Sequence, residues 1–380
     1  MQPIPESVGV VPLSIELAKR LHTEGTPIVG ICCEFAPREL ILAAGAVPVC
    51  LCGGSAKPIP AAEEDLPATL CPLIKSTYGF AITGACPFLT YADLIVAETT
   101  CDGKKKMYEL LAERVPQTVH VLELPQKPAE PAALEHWLEE LRQLQSRLER
   151  RYDHRITQDD LRGAIQRMNR ERELVRRLHD YAESDPPYVT GRELLLMRPL
   201  LGGVAEEAGR LQQAVRSLER RRAAGASPAA DAVRILVTGT PMVAGMTKVI
   251  DVLEGAGAVV VAQESCSGLK SVWDDVPMGD DPLRDIAQHY LSLPCPCMTP
   301  NTGRLALLDA LIDRYRPRGV VELIWHACQT YAIEAAMVQR HVAVHRGLPY
   351  LRVETDYSES DAEQIRTRVE GFLEMARSAA

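Results

Sequence analysis

The chain has 380 residues, more than one ordinary core needs and enough for two. Hydrophobic residues make up 46% and charged residues 24%, the balance of a globular protein; the net charge of −9 argues against a nucleic-acid partner, because an acidic surface gains nothing from counterion release on phosphates. No apolar run approaches the roughly 18 residues of a membrane span, and Met1-Gln2-Pro3-Ile4-Pro5 lacks the basic-then-apolar pattern of a secretory leader, so the expectation is a cytoplasmic protein that makes no membrane contact.

In chain order, Pro27-Ile28-Val29-Gly30-Ile31 reads as a strand, Pro37 to Ala44 as a helix stopped by Gly45, and Val47-Pro48-Val49-Cys50-Leu51 as the next strand. Leu94-Ile95-Val96 and Val119-His120-Val121-Leu122 are strands on either side of a helical stretch from Lys105 to Glu113. From about 132 to 224 the pattern becomes helical. Leu134, Leu138, Leu141, Leu144 and Leu148 step by three and four along one face, and Thr157 with Asp160 and Thr190 with Glu193 resemble capping boxes. The Arg-rich runs here, such as Arg220-Arg221-Arg222, are interleaved with Glu and read as solvated helix surface. Ala223 to Ala230 reads as a linker. Strands then return at Arg234–Thr238, Ala258–Ala262, Val320–Ile324 and Leu351–Val353, with a helix from Thr247 to Leu253 and a last one capped by Ser360 and Glu363. The fold class is α/β: two Rossmann/flavodoxin-like parallel-sheet domains, 1–130 and 231–380, with a helical insert and linker at 131–230 between them.

Eleven cysteines are the informative count. In a cytoplasmic chain they are core residues, metal ligands or catalysts rather than stable disulfides, and an odd number argues against a closed disulfide framework. Ligands of open parallel sheets bind beyond the carboxyl ends of the strands. Cys101, in Glu98-Thr99-Thr100-Cys101-Asp102-Gly103, and Cys328, in His326-Ala327-Cys328, both fall there, in βα turns ahead of a helix. The helix dipole and free N–H groups at such a place favour thiolate over thiol, the form that binds iron, and Lys104, Lys105 and Lys106 add positive charge beside Cys101. Cys71 precedes Pro72, a residue suited to the first helical position. Cys295-Pro296-Cys297 is a tight loop pair open to a ligating, relaying or lining role. Other motifs are missing. Gly239 to Thr247 lacks the Gly-Lys-Ser/Thr ending of a P-loop, Gly255-Ala256-Gly257 lacks the third glycine of a dinucleotide fingerprint, and no Gly-x-Ser-x-Gly occurs. His341 and His345 are four apart without the Glu of a zinc-protease motif.

Four stretches resemble the 2-hydroxyacyl-CoA dehydratase superfamily. They are Asp65-Leu66-Pro67 with Leu70-Cys71-Pro72-Leu73-Ile74-Lys75-Ser76-Thr77-Tyr78-Gly79-Phe80, Glu98 to Met107, His326-Ala327-Cys328-Gln329-Thr330-Tyr331, and Glu354-Thr355-Asp356-Tyr357-Ser358. The resemblance runs from about residue 12 to the last helix, and its nearest branch looks like the double-cubane cluster proteins. It implies an oxygen-sensitive iron–sulfur component that works anaerobically and holds its cluster through Cys71, Cys101 and Cys328. It further implies either a [4Fe-4S] cubane in each subunit or an [8Fe-9S] double cubane shared by a homodimer across its two-fold axis. A separate ATP-hydrolysing iron–sulfur reductase, the activator, would supply low-potential electrons. Three thiolates on four irons leave one iron open, as such chemistry requires. Asn301, His326 and Gln329 are the candidate catalytic residues of the cleft, from their polarity and proximity to the ligand loops. Three readings follow: a reductase of a small unsaturated substrate, a 2-hydroxyacyl-CoA dehydratase subunit, and an electron-transfer scaffold with no substrate of its own. All three expect the three cysteines to converge in a cleft between the two α/β domains, away from the helical insert.

Overall fold

The computed structural model describes residues 10–378, so the N-terminal stretch that lacks a leader pattern lies outside it. Among the described residues eight strands form two sheets: β1 (Ile28–Ile31), β2 (Val47–Cys50), β3 (Leu94–Glu98) and β4 (Thr118–Leu122), then β5 (Val233–Gly239), β6 (Ala258–Glu264), β7 (Gly319–Trp325) and β8 (Tyr350–Thr355). The orders are β2-β1-β3-β4 and β6-β5-β7-β8, the same topology twice, with every pairing parallel. Parallel sheets need cover on both faces, which is why the central strands are continuous Val, Ile, Leu and Ala runs rather than alternating ones. Among the described residues no helix is long and apolar enough to cross a membrane.

The middle of the chain forms helices Ala133–Tyr152, Gln158–Glu183, Gly191–Leu196 and Ala205–Ala223. Both capping boxes form, Thr157 with Asp160 and Thr190 with Glu193. These helices lie between the two domains in the chain and pack on both sheets. Trp137, Leu138, Leu141, Leu144 and Leu148 share a core with Val29, Leu94, Val96 and Leu122 of the first sheet. Leu174, Leu178, Leu211 and Leu218 share another with Leu236, Val259 and Val261 of the second. Arg234 at the start of β5 fixes the handover: its guanidinium donates to the carbonyls of Ala182 (3.0 Å) and Ser184 (2.7 Å), and to that of Tyr315, satisfying helix-end acceptors that would otherwise be buried unpaired.

One segment departs from the sequence division. Residues 276–298 follow β6 in the chain, yet Val276, Ile286, Tyr290, Leu291, Cys297 and Met298 pack into the core of the first sheet. Polar contacts hold them there. Tyr290 donates to Glu39 at 2.7 Å and accepts from the Arg38 N–H at 3.1 Å, and Arg162 donates to the carbonyls of Gly279 and Asp280.

The second domain carries a fully buried ionic clamp. Arg304, on helix Thr302–Tyr315, donates to Glu264 at the end of β6 (3.0 Å), to Glu322 in β7 and Thr238 in β5 (2.9 Å each), and to Glu334 on helix Gln329–Arg340 (2.5 Å). Lys270 adds a second cation on Glu264 at 2.8 Å. One guanidinium thus fixes the helix that follows Cys328 to three strands. Arg304→Met would leave buried Glu322 without a cation, buried Glu264 with Lys270 alone and partly exposed Glu334 unpaired, and the expected loss is roughly 3–5 kcal/mol. Denaturant unfolding of the metal-free protein measures it; a loss below about 1 kcal/mol would contradict this account.

Candidate functional site

The carboxyl ends of both sheets face a common cleft, and cysteines line it from both sides. Cys71 is the N-cap of helix Pro72–Ile82, Cys101 that of Asp102–Arg114 and Cys328 that of Gln329–Arg340. None of the three helices has an oxygen cap. Their first N–H groups lie beside sulfur instead and favour its thiolate: Leu73 and Ile74 act on Cys71, Lys104 on Cys101 and Tyr331 on Cys328. Ala327 sits in the left-handed region at φ 60, a conformation an alanine adopts at a cost of about 1–2 kcal/mol. The strain lies one residue before Cys328, in the turn that delivers this thiol to the helix start.

The three cysteines, scattered over 258 positions of sequence from 71 to 328, come together. The Cys71 and Cys328 thiols are neighbours, and Cys101 lies within the electrostatic reach of both. Cys328 beside it, with the two helix N–H groups, holds the Cys71 thiol below its usual range, while Cys328 is pushed up by Cys71 and by burial. Cys101 is raised by burial, partly offset by the Lys104 N–H and ammonium.

A second group of thiols lies alongside. Cys33 follows β1 and Cys266 follows β6, while Cys295 and Cys297 come from the crossing segment. Cys33, Cys266 and Cys295 each feel the charge of another member, and Cys101 also feels Cys295, so the two groups adjoin. Two pairs share a proton. Cys295 is drawn down to about 6 by the hydrogen bond from Cys297, against burial and with help from Lys270; Cys50 is drawn down to about 7 by the bond from Cys52. Burial pushes Cys33 up to about 12 and raises Cys266 and Cys32 further. The Cys50–Cys52 loop is seated by Gly53, whose N–H bonds Thr77 Oγ1 at 2.9 Å; a Cβ at Gly53 would stand 2.5 Å from the Thr77 nitrogen. The Cys86 sulfur accepts the Leu89 N–H at 3.4 Å.

Two lysines place positive charge among the thiols. Lys104 donates to the Cys32 carbonyl at 2.7 Å, and Lys270 to the Tyr331 hydroxyl at 2.9 Å. Glu98, at the end of β3, is fully buried, and neither carboxylate oxygen has a hydrogen-bond partner. Burial raises it to about 8 although Lys104 opposes the shift.

The polar candidates separate. Asn301 donates to Glu334 at 2.7 Å and so belongs to the Arg304 clamp. His326 is 66% exposed with Glu354 at 3.6 Å, and Gln329 is exposed; both flank Cys328 at the rim. His341 bonds Asp309 at 2.8 Å, within a π-helical turn that also carries His345. Sequence reasoning left Cys33 and Cys266 unassigned; their position just past a strand was the available signal.

The donor set suits iron. Among the described residues no group of His, Cys, Asp and Glu is arranged around a single metal ion. A cluster asks for something different, thiolates spread over several irons, and buried and half-buried cysteines beside helix N–H groups and two ammonium groups suit that.

Residues 33–376 match the family model described as 2-hydroxyglutaryl-CoA dehydratase, D-component. The chain belongs to this family. It is 40% identical over 365 residues, 93% of each chain, to YjiM of Escherichia coli (strain K12), provisionally named a dehydratase subunit. It is 21% identical to the (R)-phenyllactyl-CoA dehydratase beta subunit of Clostridium sporogenes over 94% of each chain. Identity to a benzoyl-CoA reductase subunit of Thauera aromatica is 23%, over 68% of this chain and 66% of that one. The family member described here is a D-component, and family members of this type act as dehydratases or reductases.

Glu98 gives this site a pH signature. Its proton is retained in the folded chain and lost in the unfolded chain between pH 4.5 and about 8, so it costs stability progressively across that window and nothing below it. Glu98→Gln therefore stabilises the metal-free protein by an amount that grows from pH 5 to pH 8, reaching on the order of a few kcal/mol. Thermal melts of both proteins across that range measure it. A difference independent of pH would show that Glu98 is ionised in the folded chain.

Proposed function

We propose that this chain is the iron–sulfur component of a two-component anaerobic, cytoplasmic reductase, reducing a small unsaturated molecule with electrons from a separate ATP-hydrolysing iron–sulfur reductase. The observation that carries this is the convergence of three helix-capping cysteines, Cys71, Cys101 and Cys328, at the carboxyl edges of two facing sheets. These three would hold one cubane. The name of the Thauera relative, a reductase, supports the reductive direction.

The adjoining group, Cys33, Cys266 and Cys295, is the basis for the double-cubane form. It offers three further thiols from the same chain, so both halves of an [8Fe-9S] unit would be held within one subunit. Sharing across a dimer would give these three no part. The cluster, when bound, supplies low-potential electrons at an iron that no protein thiolate occupies. The chain does the rest. Lys104 and Lys270 offset thiolate charge, and the apolar core around Cys71 keeps water away. His326 and Gln329 at the rim are the proposed substrate contacts, and Asn301 is assigned to the scaffold.

The second reading is a 2-hydroxyacyl-CoA dehydratase subunit with a single [4Fe-4S] cubane and an unlike partner subunit, favoured by the names of the Clostridium relative and the family model. Anaerobic iron and sulfide analysis after reconstitution separates the two. The double cubane within one chain predicts about eight irons per chain, and about four when Cys33, Cys266 and Cys295 are all changed to Ser. Four irons in the unaltered chain would favour the dehydratase form. Cys101→Ser should cripple cluster assembly with the apo chain still folded, because a hydroxyl stays protonated at neutral pH; full iron in that variant would remove Cys101 from the ligand set.

A further inference from the structure

Buried and half-buried cations in this chain usually meet acids. Arg38 donates to both oxygens of Glu34 (2.8 and 3.0 Å), Arg172 pairs with Glu39 at 2.6 Å, and Arg304 holds its clamp. Arg198, just past helix Gly191–Leu196, has no carboxylate partner among the described residues; its hydrogen bond runs from Nη2 to Ser271 Oγ at 2.7 Å. The other terminal nitrogen, Nη1, is buried and has no partner at all. The acids around it are already spent, Glu34 on Arg38 and Glu171 on the Gly203 N–H at 2.8 Å. A cationic N–H sealed from water without an acceptor is costly, so this position calls for an acceptor, and an anionic one suits it best.

Arg198 is tied to the loop that carries Cys266. Ser271, which accepts from Nη2, donates in turn to the Cys266 carbonyl at 3.2 Å. Gly268 keeps this loop tight: a Cβ there would stand 2.1 Å from the Gln263 carbonyl oxygen. Cys266 lies within electrostatic reach of the guanidinium, and of Cys33 and Cys295. The other cation beside Cys266 is committed elsewhere, since Lys270 pairs with Glu264 and donates to the Tyr331 hydroxyl. Arg198 therefore brings an unspent N–H to this thiol group from the helical middle of the chain, a stretch that has no cysteine of its own.

We propose that Arg198 is a hydrogen-bond donor to sulfur in the second half of the double cubane, its Nη1 serving the Cys266 thiolate or a cluster sulfide beside it. The inference rests on the reading that Cys33, Cys266 and Cys295 hold that half. Reduction adds an electron, supplied by the separate iron–sulfur reductase, and makes the sulfurs more negative. A charge-assisted N–H to sulfur therefore favours the reduced form and raises the potential. Arg198 is a positioning residue in this role: it acts through a ligand sulfur and not on the substrate.

Redox titration of the anaerobically reconstituted protein, followed by electron paramagnetic resonance, tests it. Arg198→Met should keep about eight irons per chain and move one midpoint potential to a more negative value, by at least a tenfold loss in the reduction constant, about 59 mV for one electron. Arg198→Lys keeps the charge without the planar fork and should give a smaller shift in the same direction, which carries the test if Arg198→Met assembles fewer irons. In the chain with Cys33, Cys266 and Cys295 changed to Ser, which holds only the first cubane, Arg198→Met should leave the potential where it was. An unmoved potential in either Arg198 variant at full iron would overturn the proposal, and so would an equal shift in the serine chain. Iron content keeps the two failures apart. About four irons in the unaltered chain would remove the second cubane and this inference with it. About eight irons with an unmoved potential would leave the cluster reading standing and overturn the role of Arg198 alone.

Discussion

The structure depends on three helices that begin inside a cleft with sulfur in place of the usual oxygen cap. A helix start has unpaired N–H groups and a partial positive charge, and burying it without a partner is costly. Ser, Thr, Asp and Asn are the common remedy, and all are absent at Cys71, Cys101 and Cys328. Thiolate is a weaker acceptor but carries a full charge, so it suits a helix dipole better than its hydrogen-bonding capacity alone suggests. A cluster that keeps the three sulfurs as thiolates would strengthen those caps. The site and the helix starts therefore stabilise each other, and the doubled sheet topology aims three such starts at one place.

Concentrating so many thiols in a dry cleft raises an electrostatic problem that the chain solves locally. Thiolates close together repel, and burial favours the neutral form. Pairing is the first answer: in Cys71–Cys328, Cys50–Cys52 and Cys295–Cys297 one thiol of the metal-free chain is lowered by its neighbour while the other is raised. Counter-charge is the second. Lys104 comes from the helix that Cys101 caps, and Lys270 is moored by Glu264 of the Arg304 clamp. The clamp thus serves the cleft as well as the fold, because the same buried carboxylate that anchors Arg304 also positions a cation beside Cys266 and Cys295.

Much of this was legible in the sequence, for reasons particular residues make plain. Short Val/Ile runs separated by helix patterns marked the strands, and Cys101 and Cys328 announced themselves by falling just beyond two of them. Cys71 was readable from Pro72. Thr157 and Thr190 marked their helices because capping chemistry is local. Cys33 and Cys266 obey the same strand-end rule, but their meaning appears only when the two carboxyl edges are known to face one cleft, a tertiary fact. Asn301 is polar and near the ligand loops in sequence, yet its amide is spent on Glu334. Helix Pro282–Leu291 is amphipathic for either domain, so nothing local told that it would leave the second sheet for the first.

That crossing decides how the cleft can move. If each half of the chain packed only on itself, the two sheets could separate about the linker and open the thiol groups to solvent. Segment 276–298 forbids this. It carries Cys295 and Cys297 and is rooted in the core of the first domain through Ile286, Tyr290, Leu291 and Met298, while its two ends enter the second. Helix Gln158–Glu183 crosses the same boundary, bonding the segment through Asn169 and Arg162. Separating the domains would pull apolar side chains from a core and break the buried Arg172–Glu39 pair beside Tyr290, a cost of several kcal/mol. The crossing segment accordingly holds the two cysteine-bearing edges against each other, and the side chains exposed beside Cys328 are His326 and Gln329.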